Sequence, residues 1–156
     1  MKRFLLAASC AFAMSGAAAQ AADMSKMHEM MMKMGGPTPD ERVEMNIPAP
    51  MKVMQKRMMR QHFDTLSEIT AALAANDLKK TAEIASSIGW TPEEANRCAT
   101  ISEAAGQKEL LTLGMAVHKK ADELADNARA GNRDKALANL SELMKNCNAC
   151  HERFRL

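Results

Sequence analysis

Tyrosine is absent from this chain of 156 residues, and four Phe and one Trp make up an aromatic share of only 3%. Aromatics are the bulkiest core filler, each burying roughly 150–250 Å², so a core made of side chains alone is short of large bodies. Charge of one sign is scarce as well: 21 Lys and Arg face 19 Asp and Glu, a formal net charge of +2. That balance, without basic and aromatic residues interleaved, excludes a nucleic-acid surface. Four Cys are too few and too scattered for a disulfide scaffold. No run reaches the roughly 18 uninterrupted apolar residues of a membrane span. One residue type is in excess. Fifteen Met is a high count for a flexible thioether that usually fills gaps in cores and becomes abundant at adaptable or metal-handling surfaces.

The first residues follow the pattern of an export signal. Lys2 and Arg3 precede the apolar run from Phe4 to Met14, and the small residues from Gly16 to Ala22 offer two overlapping A-x-A cleavage sites. Residues 1–22 therefore read as a signal peptide, and the expected location is the periplasm. Cys10 follows Ala7-Ala8-Ser9, a poor lipoprotein site. Cleavage after Ala19, Ala21 or Ala22 leaves three Cys, with Phe63, Trp90 and Phe154 as the aromatics.

Residues 23–47 read as a disordered, Met-rich tail. Met24, Met27, His28, Met30, Met31, Met32 and Met34 crowd together before Gly35-Gly36-Pro37-Thr38-Pro39-Asp40 breaks any helix. Soft thioethers select Cu(I), so copper binding is one expectation for this tail and a plain tether is the other. Pro48 and Pro50 open the next domain, 48–156. Met51, Met54, Met58, Met59, His62, Leu66, Ile69 and Leu73 recur at threes and fours, predicting a helix from about 50 to 75. Leu78, Ala82, Ala85 and Ile88 mark a shorter second helix, and Thr91-Pro92-Glu93-Glu94 is a capping-box start. A third helix after Gly106 carries Leu110, Leu111, Leu113, Val117, Ala121, Leu124 and Ala128. The last runs from about 133 to 155, with Ala136, Leu137, Leu140, Met144, Cys147, His151 and Phe154 inward. No strand is expected. The fold expected is all-α, an antiparallel four-helix bundle.

Cys147-Asn148-Ala149-Cys150-His151 is a CxxCH sequence, which arises by chance in roughly three chains per thousand of this composition. Two thiols three apart can add to the two vinyl groups along one side of a haem, and the adjacent His then serves as an axial iron ligand. A redox dithiol would open a helix beside a βαβ pattern, which this chain lacks. A zinc site would need two further ligands at matching spacing, which Cys98 and the scattered His residues do not supply.

The ending Cys147-Asn-Ala-Cys150-His151-Glu-Arg-Phe154-Arg155 resembles that of cytochrome c′ and its low-spin relatives, the class II c-type cytochromes. A looser resemblance covers residues 48 to 156, including Met59-Arg-Gln-His-Phe63 on the first helix. It implies one covalent haem c inside the bundle, held by Cys147, Cys150 and His151, with Arg155 beside the imidazole. It implies one-electron transfer to redox partner proteins, or binding of nitric oxide and carbon monoxide at an open distal site, rather than enzymatic turnover. Homodimers through outer helices are also common among such relatives.

The sixth iron position separates those two activities. Aligned with the family, Met59 is the preferred sixth ligand, with Met58 and His62 behind it; a thioether favours reduced iron and suits an electron carrier. The bland readings are core Met residues and a buried, hydrogen-bonded His62. His118, flanked by Lys119 and Lys120, reads as part of a solvated face, and Cys98 as a buried small apolar residue. Lys52, Lys56 and Arg60 are candidates to pair with haem propionates. No distal acid–base pair of a peroxidase can be placed.

Overall fold

The computed structural model describes residues 14–35 and 39–156. Most of the expected signal peptide, including Lys2, Arg3 and Cys10, lies outside them. The chain is mostly helical, with six helices among the described residues, so the all-α class holds. It divides into two compact units, Met1–Glu41 and Arg42–Leu156.

In the first unit, α1 (Met14–Lys33) runs through the Met tract, where a tail without structure was expected. Its residues explain the difference. The segment contains no Pro and is rich in Ala and Met, both good helix formers. Glu29 and Lys33, one turn apart, add an ion pair at 2.7 Å.

The second unit begins earlier than the prolines suggested. β1 (Val43–Glu44) pairs in parallel with β2 (Phe154–Arg155), Val43 opposite Phe154 and Glu44 opposite Arg155. The Met45 N–H extends the ladder by donating to the Arg155 carbonyl at 2.8 Å, and Met45 and Ile47 are buried. Residues 42–47 are therefore a strap on the packed unit and not tail. The signal was present in the sequence: Val43, Met45 and Ile47 alternate with Glu44 and Asn46 at the period of a strand.

Five helices follow. α2 (Ala49–Ala74) has Pro50 in its first turn, where a missing N–H costs nothing. α3 (Leu78–Ser86) is capped by Asp77, whose side chain accepts from the Lys80 N–H at 3.0 Å. α4 (Pro92–Ala104) is capped by the Thr91 hydroxyl, which accepts from the Glu94 N–H at 3.2 Å. α5 (Glu109–Arg129) and α6 (Arg133–Arg153) complete the unit. Asn76, Gly106 and Gly131 take left-handed backbone at the helix ends. Between α3 and α4, a Cβ on Gly89 would lie 2.1 Å from Asp122 Oδ1, while the Trp90 N–H donates to Asp122 Oδ2 at 3.0 Å. That close approach of the α3–α4 turn to α5 requires glycine.

The core gathers at one end, where Ile69 and Leu73 of α2 meet Ala82, Ala85, Leu124, Ala125, Ala128, Ala136 and Leu140. Alanines on α3, α5 and α6 let these helices come close. Ile88, Ala121 and Leu143 continue the packing, and Met45, Ile101, Leu110 and Phe154 close the other end. The inner face of α6 differs from the one expected. Leu137, Met144 and His151 are exposed, whereas Leu143 is fully buried. At about 100° per residue, Ala136, Leu140, Leu143, Cys147 and Cys150 form one column and Leu137, Met144 and His151 the column beside it. Met54 and Leu111 are likewise exposed. No helix among the described residues is long and apolar enough to cross a membrane.

Candidate functional site

Where the N-terminal half of α2 passes α4, α5 and the end of α6, the second unit encloses a cavity of about 560 Å³. Its walls are Met58, Met59, His62, Phe63 and Leu66 from α2, Arg97, Cys98 and Ile101 from α4, Leu110, Leu113, Val117 and His118 from α5, and Cys147, Cys150 and His151 from α6. Phe154 and Arg155 of β2 also line it. The residues singled out around the CxxCH sequence and on the first long helix thus share one cavity. Phe63 stands 74% exposed on its lining, a large apolar ring without enough protein to cover it.

The charged side chains on this lining are of one sign. Arg42, Lys56, Arg60, Arg97 and Arg155 contribute to it, and no Asp or Glu does. Lys56 and Arg60 sit where carboxylates of a bound group could reach them. Lys52 does not line the cavity and pairs instead with Glu44 at 3.6 Å. The lining as a whole suits an apolar body that carries carboxylates.

Cys147 and Cys150 are half-buried free thiols one turn apart on α6, and His151 is exposed at the rim. Burial is the first cause holding both thiols above the ordinary value of 9.0; the neighbouring Cys150 adds to the effect at Cys147 and Glu109 at Cys150. A redox dithiol needs the opposite shift, toward thiolate. Cys98 is half-buried on the same lining, and burial followed by the charge of Glu94 raises it too. The strap fixes the end of α6. Arg42 donates to the His151 carbonyl at 3.2 Å, and Arg155 pairs with Glu44 at 3.1 Å.

One wall carries a polar cluster that was not legible beforehand. His118 is buried, not solvated: its Nδ1 lies 2.8 Å from the Ile88 carbonyl and its Nε2 3.6 Å from Glu94 Oε2. Glu94 also pairs with Arg97 at 2.8 Å, and Arg97 in turn donates to Met58 Sδ at 3.6 Å. The ring of His62 meets His118 edge-on, centroids 5.5 Å apart, and Trp90 lies 6.0 Å from His118 on centroids. Desolvation lowers the His62 pKa below 6.5, helped by the charges of His118 and Arg97 and opposed by Glu94. The cluster could not be placed from sequence because its members lie on three helices. The available clue was Glu94, which serves equally as a capping-box partner or as an inward carboxylate.

Among the described residues, no group of three or more His, Cys, Asp or Glu is arranged to hold a metal ion. Comparison with family models, with curated proteins and with solved structures yields no match to this chain.

Proposed function

We propose that the chain is an exported, periplasmic class II c-type cytochrome, a four-helix bundle that carries one covalent haem c and passes single electrons to redox partner proteins. α3 and α4 together form one broken limb of that bundle. The observation that carries this reading is the meeting of Cys147, Cys150 and His151 in one apolar cavity with Arg and Lys but no Asp or Glu side chain on its lining. The cavity volume of about 560 Å³ falls within the range of roughly 300–1,000 Å³ usual for ligand sites.

A haem held here supplies a one-electron iron couple. Cys147 and Cys150 would hold it as thioethers, and His151 would offer its imidazole to the iron. Arg155 is held near the end of α6 by its ion pair with Glu44. Lys56, Arg60 and Arg97 offset the charge of propionates that the apolar lining would otherwise desolvate. Met59 is the favoured sixth ligand, because the Met58 sulfur already accepts a hydrogen bond from Arg97. Ile101, Leu110 and Val117 exclude water from the cavity.

Expression in a host with a c-type haem attachment system tests the reading. The expected product keeps its haem after denaturation, gains the mass of one haem, and loses it in the Cys147→Ala, Cys150→Ala double variant. A haem-free product, made where a control cytochrome c is loaded, overturns the reading. The absorption spectrum then decides the sixth position. Low-spin iron with the weak long-wavelength band of Met ligation, lost in Met59→Leu, is expected. A five-coordinate spectrum with ready carbon monoxide binding replaces the carrier by a gas-binding protein.

A further inference from the structure

The Met tract is the most biased segment of the chain, and the helix gives it an order that the sequence alone does not. At about 100° per residue, Met24, Met27, His28 and Met31 of α1 fall within one arc roughly 100° wide. Met24 with Met27 and His28, and Met31 with Met27 and His28, are three or four residues apart, where Cβ atoms stand roughly 5–6 Å from each other; Met27 and His28 are consecutive and mark the two edges of the arc. Ser25, Lys26, Glu29 and Lys33 occupy the opposite face, where Glu29 pairs with Lys33 at 2.7 Å.

We propose that the Met24, Met27, His28 and Met31 face of α1 binds one soft monovalent metal ion, Cu(I). Three thioethers and one imidazole on adjacent turns form a neutral donor set, without carboxylates that would favour hard cations. All four side chains are exposed, so no packing must be broken to reach the ion. A lipid or protein docking face fits less well. Every apolar side chain from Asp23 to Met34 is Met, whereas membrane-surface helices draw on Trp, Phe and Leu with a strongly basic opposite face. The bias is toward sulfur, not toward hydrophobicity.

The test uses the full chain with its thiols alkylated, titrated anaerobically with Cu(I) against a chromophoric Cu(I) chelator. One Cu(I) per chain is expected. Met27→Leu with Met31→Leu, which keeps size and helix propensity, is expected to weaken binding about tenfold or more, the scale on which metal-site substitutions act. Met30→Leu with Met32→Leu, which lie at the flanks of the arc, is expected to leave the affinity nearly unchanged. Equal losses in the two pairs would show that Met count and not the helical face matters, and would overturn the site. So would the absence of Cu(I) retention, or vesicle flotation on phosphatidylethanolamine and phosphatidylglycerol that persists in the Met27→Leu, Met31→Leu pair while Cu(I) is not held. The measurement needs no haem. Its failure leaves the cytochrome reading intact, and failure of haem attachment leaves this site untouched.

Discussion

His118 and Glu94 face one another across a wall of the cavity, Nε2 to Oε2 at 3.6 Å, while Nδ1 of the same ring lies 2.8 Å from the Ile88 carbonyl. A carbonyl can only accept, so Nδ1 carries a proton and donates it. His118 thereby ties the turn after α3 to α5, while Glu94 Oε2 lies near the same ring, buried and without a hydrogen-bond partner.

His118→Leu is expected to lower stability by about 1–3 kcal/mol, the cost of leaving a buried carbonyl without its donor. Urea denaturation measures it. A double-mutant cycle with Glu94→Ala should give a coupling of about 0.5–3 kcal/mol, as for side chains in one polar network. Strict additivity would mean that the two groups do not communicate.

His62 sets a pH dependence whose sign follows from its burial. Its folded pKa lies below 6.5, so on acidification the unfolded chain takes up the proton first. Stability from this residue is complete above about 6.5 and is lost as pH falls through the lowered folded value. Urea midpoints of the haem-free chain, compared between pH 7.5 and 5, should fall less steeply in His62→Phe. An unchanged slope would place the acid sensitivity elsewhere.

The raised thiols of Cys98, Cys147 and Cys150 remain protonated at neutral pH. Alkylation of the haem-free folded chain should therefore be slow at pH 7 and accelerate above the ordinary value of 9.0. After haem loading, mass spectrometry should find Cys98 labelled and Cys147 and Cys150 protected. Fast labelling of the CxxC pair at neutral pH would instead point to a redox dithiol.

Leu143 tests which face of α6 is inward. It is fully buried beside Ile88 and Ala121, so Leu143→Ala should cost about 2–5 kcal/mol. Its neighbour Met144, 46% exposed, should tolerate Ala within about 0.5 kcal/mol. Reversed costs would mean that the helix is turned the other way.

Helix existence and helix ends were legible because they are written locally: Pro50, Asp77, Thr91, Gly106 and Gly131 each act within a turn of where they stand. Burial was less legible because it depends on partners far away in sequence. Leu137 and Leu143 are equally apolar, and only the position of α3 and α5 decides which of them is covered. His118 looked solvated beside Lys119 and Lys120, yet an acceptor thirty residues upstream draws it inward. The strap was missed for a different reason: two residues of ladder are too few to outweigh the Met and Pro around them. Within the site, the CxxCH spacing and the apolar stripe of α2 indicated which residues would meet, while Glu94 and Arg97 were indistinguishable from surface charge.

The pairing of Val43 with Phe154 closes nearly the whole second unit into a ring. Two residues of ladder cannot offset so long a closure until the helices have brought both ends together. The clasp therefore shuts last on folding and opens first on fraying. For a chain that takes up a bulky prosthetic group as proposed, that interval would be when the mouth beside His151 admits it, and loading would precede final closure.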